Sequence, residues 1–237
     1  MLHKIILENL LFLDIETVPG HASFDDLPEE ERELFSDKTA YRRKPEETAA
    51  SFYHQAGIWA EFGKIICISV GYFHHKGGTL EFRTKSFYEE EKILLQQFAN
   101  LLDTHFAGDQ FLMCGHNIKE FDIPYIARRM LINGIALPAK LNLFGKKPWE
   151  IPHLDTMELW KFGDYKHYTS LKLLTHVLGV PSPKEDIDGS MVRSVYYDDN
   201  DLDKIIIYCE RDVVAVAQVI LRLKGMPLLD ESDIRHV

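Results

Sequence analysis

The segment Leu10-Leu11-Phe12-Leu13-Asp14-Ile15-Glu16-Thr17-Val18 constrains the fold of this chain more than any other. It is apolar and β-prone, lacks helical spacing and stops at Pro19, so it reads as a buried strand. Inside it stand Asp14 and Glu16, two residues apart, which strand alternation places on one face. Burying two carboxylates in an apolar strand is expensive unless a cation lies between them. A divalent metal is the simplest such partner. The bland alternative is a frayed, solvated strand end, and the pair alone does not separate the two.

After Pro19 comes a stretch, 20–62, that opens acidic (Asp25, Asp26, Glu29, Glu30, Glu31) and turns basic at Arg42-Arg43-Lys44. It predicts short helices and loop inserted after the first strand, without a core of its own. Residues 65–73 read as a second buried strand, and 79–87 alternate like a third, with Gly77-Gly78 as the turn. Glu89, Glu90 and Glu91 open a helix carrying Leu94, Phe98, Leu101 and Leu102 on one face. A short buried strand at 111–114 leads into Gly115-His116-Asn117. A helix follows from about Ile123, with Pro124 tolerated in its first turn and Gly134 suited to end it. Residues 135–152 are loop-like. Helices are expected near 156–162 and 170–178, and a last one from about Leu202 to Lys224, closed by Gly225 and Pro227. This order implies an α/β fold, a mixed central sheet flanked by helices on both faces. The expected organisation is a single domain over 1–237 with an insert at about 20–62.

Composition sets bounds on function. Of 237 residues, 46% are hydrophobic and 11% aromatic, enough for a sizeable core. The formal charge of −10 repels nucleic acid at long range, where binding draws on Lys and Arg. A nucleic-acid role must therefore rest on local basic patches and metal ions. Cys67, Cys114 and Cys209 form no paired spacing, which argues against a zinc motif or disulfide framework and fits a reducing cytoplasm. No stretch approaches a membrane span, and Asp14 and Glu16 interrupt the first apolar run too early for a signal peptide. A soluble, cytoplasmic protein is expected.

Two further carboxylates stand out. Asp122 falls in the first turn of its helix, where an Asp commonly just caps. Tyr208 and Asp212, four residues apart, share a ridge of the last helix with apolar Ile205 and Val216. An acid in such a stripe needs a partner, and Arg211 is the bland candidate. The joint pattern is more specific than its parts. Four carboxylates on one strand and two helices suit two divalent ions about 3.5–4 Å apart, the clamp used in phosphodiester cleavage.

At this point the residues resemble a known family. Asp14-Ile15-Glu16-Thr17, Asn117-Ile118-Lys119-Glu120-Phe121-Asp122 and Tyr208-Cys209-Glu210-Arg211-Asp212 are similar to the three exonuclease motifs of the DnaQ-like, or DEDD, superfamily. The segment Gly115 to Ile126 resembles the proofreading exonuclease domain of B-family DNA polymerases, and stand-alone predicted exonucleases related to it match best. The similarity runs from Leu11 to Leu223. It implies a ribonuclease H-like fold in which Asp14, Glu16, Asp122 and Asp212 bind two Mg2+ or Mn2+ ions. Tyr208 would orient the attacking water. The superfamily's other branch has a histidine five residues before the last Asp, and Ile207 stands there, so the chain resembles the tyrosine branch. A phenol with an ordinary pKa near 10 stays protonated at neutral pH and positions water without acting as a strong base. By the same resemblance Thr17, Asn117 and Phe121 would contact the terminal nucleotide, although a Phe at that position serves equally as plain core; for Tyr208 the spacing to Asp212 favours the catalytic role over plain core. The polymerase portion has no counterpart here, and 20–62 does not match the polymerase domain.

The expected function is thus a metal-dependent 3′–5′ exonuclease acting on the 3′ end of single-stranded nucleic acid, DNA in preference to RNA. It would work without a membrane and with a possible larger DNA-processing partner. The competing readings are a 3′–5′ exoribonuclease, a non-catalytic nucleic-acid-binding module on the same fold, and a two-metal hydrolase for a small substrate.

Overall fold

The computed structural model describes residues 2–164, 168–181 and 187–237. Among them six strands form one sheet: β1 (Leu10–Pro19), β2 (Gly63–Lys76), β3 (Thr79–Phe87), β4 (Leu112–Gly115), β5 (Leu154–Asp155) and β6 (Ile234–His236), in the order β5-β4-β1-β2-β3-β6. β1, β2 and β3 are antiparallel neighbours; β4 runs parallel to β1, β5 to β4 and β6 to β3. The sheet is mixed, as expected. Gly77 and Gly78 turn the β2–β3 hairpin at φ 59° and 88°, values that glycine adopts without strain.

Eight helices accompany the sheet among the described residues: α1 (Glu29–Thr39), α2 (Ala49–Phe52), α3 (Glu91–His105), α4 (Asp122–Ile132), α5 (Thr156–Lys161), α6 (Leu171–Val177), α7 (Val192–Tyr197) and α8 (Leu202–Leu223). Alternation along β1 assigns them to sides. Leu11, Leu13 and Ile15 bury against Leu94, Phe98, Ile123 and Ile126 of α3 and α4. Leu10 and Phe12 bury against Val213, Val216, Ala217 and Ile220 of α8. Continuing that count puts Asp14 and Glu16 on the α8 side. Between Glu16 and Thr17 the register shifts, Glu16 facing Cys67 and Thr17 facing Ile65, so Ile66 is an extra residue on β2. Such a bulge bends a strand and re-aims its side chains.

The 20–62 segment forms the expected short helices, but it closes round an aromatic cluster of its own: Phe35, Phe52, Tyr53 and Phe62 are buried, with Phe24 and Trp59 alongside. Aromatics scattered over forty positions leave no periodic trace, which is why the sequence did not announce this cluster. The insert is also tied to the sheet. The Tyr125 hydroxyl donates to the Gly57 carbonyl at 2.9 Å, and Arg129 Nη1 donates to the Ala60 carbonyl at 2.8 Å. A Cβ on Gly57 would lie 3.0 Å from the Val18 backbone, so glycine permits this approach. Three short elements, β5, α7 and β6, also escaped sequence reading, being too brief to show a period. No helix among the described residues is long and apolar enough to cross a membrane.

Candidate metal centre

Asp14 and Glu16 lie where β1 meets α8, and Asp122 of α4 and Asp212 of α8 stand near enough to act on them as like charges. Asp14 and Glu16 leave β1 toward α8, and the Cys209 thiol meets them there. Asp14, Glu16 and Cys209 each offer a potential ligand atom, and these atoms lie within 4.8 Å of one another. The Cys209 Sγ–H donates to Asp14, with the main-chain oxygen and Oδ2 both at 3.4 Å. Asp122 arrives from the other side. It is the first residue of α4, whose N-cap is Phe121, and its carboxylate accepts its own main-chain N–H at the start of that helix. Its Oδ1 also accepts the main-chain N–H of Ile15 at 3.2 Å, between the two β1 acids. The carboxylate thus serves the start of α4 and the β1 backbone together, pinning one onto the other. Asp212 of α8 is close enough to act as a like charge on Asp14, Glu16 and Asp122.

The electrostatics follow from this crowding. Burial holds the Asp14 carboxyl well above the usual carboxylate range, and Glu16, Asp122 and Asp212 push it further. Burial does the same to Glu16, reinforced by Asp212, Cys67 and Asp122. Asp122 is pushed up to about 7, chiefly by burial, against the pull of the N–H groups it accepts. Among the described residues no Lys or Arg pairs with Asp14, Glu16 or Asp122. Glu16 is 8% exposed and has neither a hydrogen-bond nor an ion-pair partner among them. A hard divalent cation is the chemical partner that oxygen donors in this arrangement fit.

The neighbouring positions fare differently. Asn117 is half-buried at φ 65°, and its side-chain Oδ1 is buried without a hydrogen-bond partner. Its strained turn is held by Asp155, a residue that sequence reading passed over. Asp155 is 2% exposed; Oδ1 accepts Asn117 N and Met157 N at 2.9 Å each, and Oδ2 accepts Lys119 N at 3.2 Å. The available signal was an acid immediately before a helix start, with Glu158 three residues on. Phe121 is half-buried and packs on the Tyr125 ring at 5.4 Å. Thr17 lies beside the Tyr125 phenol. Tyr208 is half-buried; it packs against the cluster of Val18, Ile66, Val192 and Ile205. It also helps line a hollow of about 260 Å³ with Ile187, Lys204, Ile207 and Arg211. Cys209 was the second residue missed, although its three-residue spacing from Asp212 put both on one ridge. Of the basic trio in the insert, Arg42 lies over the Trp59 ring at 5.4 Å and Arg43 donates to the Ser36 carbonyl at 2.9 Å. Both are engaged by the insert itself.

The mixed sheet, the helices on its two faces and the acidic cluster against β1 together define the class, a ribonuclease H-like exonuclease fold. More narrowly, the chain belongs to the family of predicted 3′–5′ exonucleases related to the exonuclease domain of PolB, whose model matches residues 58–232. That match takes in Asn117, Phe121, Asp122, Tyr208 and Asp212, while β1 lies before it. None of the curated proteins matches the chain.

Proposed function

We propose that this chain is a divalent-metal-dependent 3′–5′ exonuclease of the tyrosine branch, removing nucleotides from single-stranded 3′ ends, DNA in preference to RNA. One observation carries the reading: four acids from three separate segments lie near enough to act on one another as like charges, in a site where the described residues supply no counter-charge to Asp14, Glu16 or Asp122. Asp14, Glu16, Asp122 and Asp212 are the residues that would hold two Mg2+ or Mn2+ ions. When bound, such ions supply Lewis acidity at the scissile phosphodiester and make the attacking water more acidic.

The chain's own groups do the rest. Tyr208 orients water by a hydrogen bond. Asn117, held in its left-handed turn by Asp155, keeps an acceptor oxygen for a donor on the terminal nucleotide. Thr17 of β1 and Phe121, just before α4, are the other residues that would contact the terminal nucleotide. A single strand is favoured because the terminal phosphodiester must thread into the cluster, which a paired end resists. Discrimination against RNA turns on the 2′-hydroxyl.

The test is a 5′-labelled oligonucleotide assay with purified protein and Mn2+ or Mg2+, comparing single-stranded DNA, RNA and a 3′-blocked duplex. A ladder shortening from the 3′ end, abolished by chelation and by Asp14→Ala or Asp212→Ala, is expected. Robust cleavage that survives both substitutions rejects the site; binding without cleavage points to a non-catalytic module.

A further inference from the structure

A thiol at the edge of a carboxylate cluster changes which cations the cluster takes. The Cys209 Sγ lies 3.4 Å from Asp14 Oδ2. A tetrahedral cation with sulfur at about 2.3 Å and oxygen at about 2.0 Å requires a sulfur–oxygen edge of about 3.5 Å. The observed pair therefore already spans one edge of such a polyhedron. Glu16 supplies a third donor within the same 4.8 Å group. It is also the nine-tenths-buried side chain that has no hydrogen-bond or ion-pair partner among the described residues. Cys209 itself is fully buried on α8, fixed by the packing of Ile205 and Val213 on either side.

We propose that Asp14, Glu16 and Cys209 form a binding site for a thiophilic divalent cation of the cobalt, zinc and cadmium class. This site overlaps the one proposed for Mg2+ or Mn2+, and the inference rests on that reading of Asp14 and Glu16. In the metal-free protein the Sγ–H donates to Asp14. When the cation enters, the Sγ–H proton leaves to solvent and the sulfur–metal bond takes its place, leaving Asp14 free to bind through oxygen. Softness then ranks the cations. Sulfur adds affinity for cobalt, zinc and cadmium and little for magnesium or manganese. Zinc should therefore displace manganese here, although no cysteine spacing in the sequence forms a zinc motif.

The full chain is titrated with Co2+ followed by absorption, and with Cd2+ and Mn2+ followed by calorimetry. The expected result is an intense near-ultraviolet sulfur-to-cobalt band in the wild type. The band should be lost in Cys209→Ser and kept in a Cys67→Ser/Cys114→Ser double variant, where Cys209 is the sole thiol. Cd2+ affinity should fall on the order of tenfold or more in Cys209→Ser, with Mn2+ affinity within about twofold. Should Cys209→Ser fail to fold, the wild type and the double variant decide the matter alone. Mn2+ and Co2+ binding with no sulfur band overturns the inference and leaves the carboxylate site standing; so does a band that persists without Cys209. If neither cation binds the wild type, both readings fall.

Discussion

Asp155 shows how much one side chain can organise. Its carboxylate accepts three main-chain N–H groups, two of them in the 117–119 turn that presents Asn117. Asp155→Ala leaves those donors unsatisfied beside the cluster and should cost about 2–4 kcal/mol. A chain of this size loses about 2–4 °C of Tm per kcal/mol, so calorimetry will read the loss directly. Asp155→Asn, which keeps one acceptor oxygen, should recover part of it. Asp14 behaves in the opposite sense. Its carboxylate is held among like charges, so Asp14→Asn should raise the Tm of the metal-free protein while lowering exonuclease turnover by at least about a hundredfold. A fall in both would mean that Asp14 serves the fold and not the site. Of these two residues, Asp14 was visible in the sequence because an acid interrupts an apolar strand. Asp155 showed only as a helix-start acid, because the partners that tie it to the Asn117 turn lie 36 and 38 positions away.

At the scale of elements, the site depends on how closely α8 lies on the sheet. Gly71 of β2 faces Phe12, and a Cβ there would come within 2.3 Å of Phe82 Cζ and 2.8 Å of Val213 Cγ1. Val213 adjoins Asp212 on α8. Gly71→Ala should therefore push the helix outward, destabilising the fold by about 1–3 kcal/mol and weakening Mn2+ binding together with it. Matched melting and calorimetric titrations check this; a stability loss with unchanged Mn2+ affinity would show that α8 does not set the spacing of the acids. The long elements were legible because their periods repeat: α8 and the β2–β3 hairpin fall within a few residues of where pattern and turn chemistry put them. β5, with two residues, and β6, with three, exist because neighbouring strands complete them.

For the molecule as a whole, the buried acids couple stability to pH and metal. Asp14, Glu16 and Asp122 have folded-state pKa values raised above their ordinary ones, Asp122 to about 7. Between the ordinary value near 4 and the raised one, the folded chain holds more protons than the unfolded chain, so stability falls as pH rises through that window. Metal-free protein should therefore melt at a lower temperature at pH 8 than at pH 5.5, and Mn2+ should restore the difference at pH 8 far more than at pH 5.5. A Tm that rises over this range without metal, or a manganese shift equal at both pH values, contradicts the cation-holding role. The formal charge of −10 adds to the same slope by self-repulsion.

The sequence by itself determined the strand that carries two acids, the order of the main elements and the three acidic motifs, because period, turn chemistry and motif spacing are local properties. Tertiary structure alone decided that Asp122 reaches β1 through the Ile15 N–H, that Asp155 anchors the Asn117 turn, that the insert has its own aromatic cluster and that Cys209 stands 3.4 Å from Asp14. Each of these joins residues that no repeating local pattern links, so it is settled only when the elements and the insert pack together.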